Sequence, residues 1–425
     1  MTTKDARRLL APLKDDLLDL LSGLVRADTV AVPPDGNEAA GQKVLARFCR
    51  RHRLDAELYQ TDFLLRSRHP YVRRERNYAG RCNLIARLGG TGGGRSLLLS
   101  GHIDTVPPGE ARWKDSPFSA AIRGGRLYGR GSFDMKGGLA AQFVAMAALR
   151  RAGLRLRGDL LCESVVDEEW AGGGGTLAGR LRGDTADAAV IPEGTNLAVV
   201  RATRGGHFFE ITARAGDAAG YFSKQEVVSP AVPMGRLLGW VGEWTARRAA
   251  IKAGGAYAGF ADPVPVQVLA LEANRFEPDV PWSVPLEAKL RLYFQFLPDE
   301  DVPAVIGEIR KSFDAFCRKD AFFRQYPPAW RDVVYPPLLG HELAADHPWT
   351  QALASAAAGV TKAPAVVSAA PYPCDAFMLQ GQFGIPTLLF GPSGGGAHNV
   401  DEYVNIRSVM QTAQTLLAAA MDWCG

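Results

Sequence analysis

The sequence predicts an α/β fold: a mostly parallel sheet flanked by helices, with a smaller α+β domain of βαββαβ order inserted into it. Three observations point there. Up to about residue 204, short apolar runs alternate with helical patterns, as in a parallel sheet covered on both faces. Near residue 205 longer, alternating strands take over, in the order of a small sandwich with one helix-covered face. From His347 the first pattern returns. The expected domains are therefore 1–204 and 339–425 as two parts of one domain, and 205–338 as the insertion.

Taken in order, residues 5–27 carry an amphipathic helix pattern. Acidic residues interrupt its apolar runs, so it lacks the apolar stretch of a signal peptide. Pro33-Pro34 and Asp35-Gly36 mark a polar loop, and a second helix is expected from Glu38 to Arg51 with Val44, Leu45 and Phe48 on one face. Strand-like runs follow at 56–59, 83–88 and 96–99, then a helix over 137–152, a strand over 159–166, a helix over 174–182 and a strand over 188–191. In the insertion, 207–214 alternates like a half-exposed strand. A helix over 233–250 places Trp240 and Trp244 at i, i+4, and strands are expected over 264–273 and 286–296. A helix over 303–316 and a strand over 330–335 complete it. Beyond His347 come helices at 348–358 and 376–380, a strand at 387–390 and a terminal helix over 404–422.

Composition narrows the function. The chain has 425 residues, is 47% apolar and 22% charged, and has a net charge of +4. That charge is small for the length and no basic run is long, which speaks against a nucleic-acid partner. The one dense basic cluster, Val72-Arg73-Arg74-Glu75-Arg76, reads as a solvated loop. No segment has the apolar length of a membrane span, so no membrane partner is expected. The six cysteines are scattered and form no C-x-x-C pair, against a thiolate zinc site and against a disulfide framework. A cytoplasmic enzyme with a small-molecule substrate is the expectation.

The chemistry concentrates where strands end. The run Leu97-Leu98-Leu99 leads into Ser100-Gly101-His102-Ile103-Asp104, and His102 and Asp104 point the same way on an extended backbone. Asp134 follows from the glycine-rich Gly129-Arg130-Gly131-Ser132-Phe133. Glu168 and Glu169 follow the strand that ends at Val166, just before Gly172 to Gly175. Glu193 ends the next strand, and His398 follows the loop Gly394-Gly395-Gly396. Taken singly, each residue reads as a strand-end, turn or capping residue. Imidazoles and carboxylates gathered at strand ends suit metal chemistry, and without thiolates they suit Zn, Mn or Co and do not decide among them.

In this order and context, GHIDTVPPG, GRGSFDMKGG, DEEWAGGGGT and FGPSGGGAHNVDEYV resemble the metallopeptidase and deacylase family of aminoacylases, acetylornithine deacetylases, succinyl-diaminopimelate desuccinylases and glutamate carboxypeptidases. The resemblance runs from about residue 10 to 420. It implies a site for two divalent metal ions. Asp134 would bridge them, Glu169 and His398 would complete one, and His102 and Glu193 the other. Glu168 would be the general base, and Asp104 would hold the tautomer of His102. The resemblance also implies a cis peptide between Asp134 and Met135. It makes the domains 1–204 and 339–425 catalytic and 205–338 a lid, through which such proteins often form homodimers.

The lid departs from the family. Where lids commonly carry Gly-x-Ala-Ala-His, this chain has Gly216-Asp217-Ala218-Ala219-Gly220-Tyr221-Phe222, with Gly220 at the histidine position. Trp282-Ser283-Val284-Pro285 stands for Asn-x-Val-Pro, and Gln295 for an arginine. His207 is the one histidine left in the lid, a candidate substrate contact together with Tyr221 and Phe222, though all three also suit lid structure. The expected activity is hydrolysis of a C–N bond in a small carboxylate-bearing substrate: an N-acyl amino acid, peptide or N-acyl amine. The alternative is hydrolytic deamination of an aromatic amine, as in the 5-nitroanthranilate aminohydrolase branch. There the ring takes up the negative charge, and a missing oxyanion donor costs less. A non-catalytic metal-binding protein is the remote third reading.

Overall fold

The computed structural model describes residues 3–170, 172, 174–216, 228–273 and 284–425. The chain forms two compact units. One comprises Met1–Thr203, His341–Ala370 and Cys374–Gly425, and the other Arg204–Gly340 with Pro371–Pro373.

Six strands of the first unit are, in chain order, β1 (Asp55–Gln60), β2 (Cys82–Leu88), β3 (Leu97–His102), β4 (Leu160–Val165), β5 (Ala189–Ile191) and β6 (Val199–Thr203). With His341–Glu342, Val367–Ala370 and Thr387–Leu389 they form a nine-stranded sheet. Its centre is parallel: β3 lies between β4 and β5, and Thr387–Leu389 runs along β5. The flanks are antiparallel, with β2 on β4 and β1 on β2 at one side, and β6 on Thr387–Leu389 and His341–Glu342 at the other. Every residue of β3 and β4 is buried, as expected for strands covered on both faces.

The helix Gly137–Ala152 packs its Leu139, Phe143, Val144 and Met146 into the same core as Leu416, Leu417 and Met421 of the last helix, Ile406–Trp423. A side chain at Gly138 would have its Cβ 1.7 Å from the carbonyl oxygen of Pro192. That glycine therefore lets the helix touch the loop that presents Glu193. The pattern over 5–27 predicts one helix, but the structure has two, Thr3–Leu10 and Lys14–Arg26, joined by a 3-10 turn at Ala11–Leu13. Pro12 is the cause: it has no N–H to donate, and its ring crowds the preceding turn. The sequence reading assigned no strand to Val199–Thr203, His341–Glu342 or Val367–Ala370. These are short, and the residues they pair with are distant in sequence.

The second unit is an antiparallel sheet in the order Val266–Glu272, Glu287–Phe296, Gly205–Arg214, Ala329–Asp332, with helices Ala231–Ala249 and Val302–Lys319. The βαββαβ order is realised. Phe209, Ile211 and Ala213 alternate into a core with Trp240, Trp244, Leu290, Leu292 and Phe313. The indole N–H groups of Trp240 and Trp244 both donate to the Ser312 hydroxyl, at 2.9 and 3.2 Å. No helix among the described residues is long and apolar enough to cross a membrane, and all six cysteines are free.

Candidate active site

β3 delivers His102 to the end of the sheet, buried. The His102 Nδ1 lies 2.9 Å from the Asp104 carbonyl oxygen and 3.7 Å from its carboxylate. The main chain of Asp104, rather than its side chain, is thus the closer partner of that nitrogen. The carboxylate has other work, accepting the main-chain N–H of Glu168 at 3.2 Å and of Glu169 at 3.1 Å. Asp104 therefore links the histidine to the loop after β4.

That loop turns at Asp167, which has a left-handed φ of 71°. The turn is fixed from below. Arg76 Nε donates to Asp167 Oδ1 at 2.8 Å and Arg81 Nη2 at 3.0 Å, and Arg81 also pairs with Glu38. Here the structure corrects the sequence reading: Arg73 and Arg76 of the basic cluster are buried rather than solvated. A solvated loop was expected because sequence spacing cannot show that Asp167, 91 residues on, supplies the counter-charge.

Asp134 leaves the loop after Gly131 (φ 79°), and the Asp134–Met135 peptide is cis. Its two oxygens face different imidazoles. Oδ1 is 3.2 Å from His102 Nε2, and Oδ2 is 3.1 Å from His398 Nε2. Glu193 Oε1 lies 3.4 Å from His102 Nε2, and Glu169 Oε2 lies 3.0 Å from His398 Nε2. Glu168 Oε2 stands 3.9 Å from His102 Nε2. The structure thus brings together all seven residues expected of the site from the first unit: His102, Asp104, Asp134, Glu168, Glu169, Glu193 and His398.

The sequence model of peptidase family M20/M25/M40 matches residues 98–422. The chain belongs to this family. Two curated relatives align along nearly the whole M20/M25/M40 chain. One is the N-formyl-4-amino-5-aminomethyl-2-methylpyrimidine deformylase of Halalkalibacterium halodurans, 27% identical over 97% of this chain and 95% of its own. The other is the Bacillus subtilis protein of the same name, 25% identical over the same shares. Human carnosine dipeptidase 1 shares the fold, with a TM-score of 0.74, 16% identity, and coverage of 99% and 98% of the two chains. The protein is a metal-dependent hydrolase acting on C–N bonds, with His102, Asp134 and Glu169 as a candidate metal triad whose ligand atoms lie within 4.8 Å of one another.

The chemistry of the donors fits a bound cation in this M20/M25/M40 site. The carbonyl oxygen of Asp104 is only an acceptor, so a neutral His102 carries its proton on Nδ1. Its Nε2 lone pair then faces Asp134 Oδ1 and Glu193 Oε1. Three acceptors converging in this way need a positive charge between them, either a cation or a second proton on His102, whose pKa stands well above the usual value because, against burial, the hydrogen bonds to Asp134 and Glu193 raise it. The titration of the side chains reports the same crowding. Burial pushes the Glu168 carboxyl well above its usual range, and the carboxylates of Asp375, Glu193 and Glu169 add to the effect. Burial lifts Glu169 to about 7, with help from Asp134. Burial also raises Glu193 and Asp104. Hydrogen bonds to Asp134 and Glu169 push His398 up to about 11. Burial opposes ionisation of Asp134, but the two imidazoles outweigh it and hold its carboxyl below the usual range.

The remaining expected residues lie elsewhere. His207 is buried in the second unit beside Phe209, with Nε2 3.0 Å from Asp332 Oδ1. Gly220, Tyr221, Phe222 and Trp282 lie outside the described residues. Gln295 accepts from Arg204 Nη1 at 2.5 Å. Two buried carboxylates escaped the sequence reading. Asp375 accepts from the Thr176 hydroxyl at 2.5 Å, and Gly172, packed against Asp375, donates its N–H to the Glu168 carbonyl at 3.1 Å. Glu402 binds the Asp134 loop. Asp375 precedes a helical turn and reads as a cap, and Glu402 reads as a loop acid. Neither had a signal in spacing.

Proposed function

We propose that this enzyme hydrolyses the amide bond of a small N-acyl amine or N-acyl amino acid with two divalent metal ions bound. The observation that carries this reading is the division of Asp134: one oxygen faces His102 and Glu193, the other His398 and Glu169. Two donor sets that share one carboxylate would hold Zn, Mn or Co ions. Such ions polarise a substrate carbonyl and lower the pKa of water from about 15.7 towards about 7.

Glu168 accepts a proton from the attacking water and passes it to the leaving nitrogen. Burial makes its carboxylate more basic than a solvated glutamate. The water oxygen joins the acyl carbon, the C–N bond breaks, and the products are a carboxylic acid and an amine. Asp104 keeps Glu168 in place through the main chain. The names of the two relatives that align over 97% of this chain favour an N-formyl or other short N-acyl group on an amine. The residues behind the aromatic-amine alternative, Gly220, Tyr221, Phe222 and Trp282, lie outside the described residues.

The test is a substrate panel on metal-loaded enzyme: N-formyl-4-amino-5-aminomethyl-2-methylpyrimidine, N-acetylornithine, dipeptides and 5-nitroanthranilate. At least one acyl substrate is expected to turn over with kcat/KM above about 10⁴ M⁻¹s⁻¹, with 5-nitroanthranilate inert. Release of ammonia from 5-nitroanthranilate, with every acyl substrate untouched, would replace this reading with the alternative.

We further propose that the strand Val266–Glu272 is the homodimer edge. Val268, Leu269 and Leu271 are 46–50% exposed, and the strand has one neighbour among the described residues. An open apolar edge invites pairing with a second copy. Sedimentation should give a dimer for the native protein and a monomer for Leu271→Lys, and a monomeric native protein removes the proposal.

A further inference from the structure

Glu402 is fully buried, four residues beyond His398, and among the described residues its ion pair is with Arg130 rather than with an imidazole. Main-chain N–H groups and one guanidinium surround it instead. Oε1 accepts from the N–H of Phe133 at 2.9 Å and of Asp134 at 3.1 Å. Oε2 accepts from the N–H of Gly131 at 2.9 Å and from Arg130 Nη1 at 2.7 Å. The main chain adds a further link, from Gly129 N to the Glu402 carbonyl at 2.9 Å.

These bonds join two segments distant in sequence. His398 sits in the loop between the strands Gly394–Gly395 and Tyr403–Asn405, which pair antiparallel. Tyr403–Asn405 also pairs with Arg126–Tyr128, just before the Asp134 loop. Both loops carry left-handed residues, Gly131 at φ 79°, His398 at 61° and Asp401 at 58°.

We propose that Glu402, with Arg130, is a positioning residue that locks the Asp134 loop to the His398 loop and so presets the spacing of the ligand atoms before a cation binds. One oxygen that receives two successive N–H groups fixes the peptide planes on either side of Phe133, and with them the direction of the Asp134 side chain. The chemistry requires a carboxylate. All four partners are donors, so a glutamine would turn its NH₂ against two of them, and an aspartate is one methylene short of spanning the gap. Placing this negative charge beside an acidic site is unfavourable, and buried Arg130 offsets it. Arg130 is itself seated, with Nη2 3.3 Å from the Pro107 carbonyl and its guanidinium 5.2 Å from the centre of the Trp113 ring.

The inference rests on the metal reading of the site, and its experiment separates the two. Native protein, Glu402→Gln and Arg130→Lys are titrated with Zn²⁺ against a competing chelator. The thermal midpoint of each metal-free protein, kcat and KM are also measured. Glu402→Gln is expected to bind Zn²⁺ about 10–100-fold more weakly, with kcat lowered at subsaturating metal, restored in part at saturation, and KM nearly unchanged. Arg130→Lys, which of the two Glu402 oxygens disturbs Oε2 alone, is expected to lose affinity in the same direction by less, and it carries the test if Glu402→Gln does not fold. Native affinity in folded variants, with only the metal-free midpoint lowered, would show a purely structural role and overturn the proposal. A native protein that takes up no Zn²⁺ would overturn the metal reading along with it.

Discussion

Glu168→Gln is expected to lower kcat by about 10²–10⁴-fold, the usual share of a general base, while metal content stays at the native level. The substitution keeps the shape of the side chain and removes the proton acceptor. It also keeps the main-chain bond from residue 168 to Asp104, so the loop holds. Glu168 is the outlying carboxylate of the cluster, 3.9 Å from His102 Nε2, whereas the Asp134 and Glu193 oxygens lie within 3.4 Å of that nitrogen. A ligand would be expected among the closer group, and a base just outside it. Kinetics at saturating substrate, beside elemental analysis of the same preparation, check both halves. Retained activity would put the base elsewhere, and lost metal would make Glu168 a ligand.

The residues that gather at the site were largely legible in the sequence, because each follows an apolar strand or a glycine loop. His102, Glu168, Glu169 and Glu193 could be placed at strand ends, and Asp134 and His398 after glycine loops, from periodicity and punctuation, whereas their roles came from the family resemblance. What periodicity cannot carry is a bond from a side chain to a distant main chain. Glu402 binds an N–H 268 residues away, and Asp104 binds two N–H groups more than 60 residues away. For the same reason the partner of Arg76 was invisible, and a cluster that holds buried Arg73 and Arg76 read as a solvated loop. The fold shows the same limit. Long apolar runs such as Leu97–His102 stood out, though the strand runs on to include the histidine that had been placed beyond it. Two- to five-residue strands such as Val199–Thr203, held by neighbours far along the chain, did not.

Removal of metal by a chelator is expected to abolish turnover and to leave a protein whose stability falls as pH rises from 5.5 to 8.5. The sign follows from two groups of the site, against Lys136 and His341, which burial lowers to about 7 and about 4 and which oppose the trend over parts of this window. Glu169 is lifted from 4.5 to about 7, first by burial. Between those values the folded chain binds more protons than the unfolded chain, so stability declines as pH rises through that window. His398 is lifted from 6.5 to about 11 by its bonds to Asp134 and Glu169. Its contribution is complete below 6.5 and is lost progressively as pH rises towards 11. Asp134, depressed by the same imidazoles, acts the other way, but its contribution is already present above its unfolded value of 3.8. In the metal-free chain, protons thus hold together donors that otherwise repel. Metal ions compete with those protons, so their affinity rises with pH. Metal at 100-fold its dissociation constant adds about 2.7 kcal/mol. The difference in thermal midpoint between Mn²⁺-loaded and chelated protein should therefore widen steadily from pH 5.5 to 8.5. A constant difference would mean that these carboxylates and imidazoles do not share a cation-dependent site.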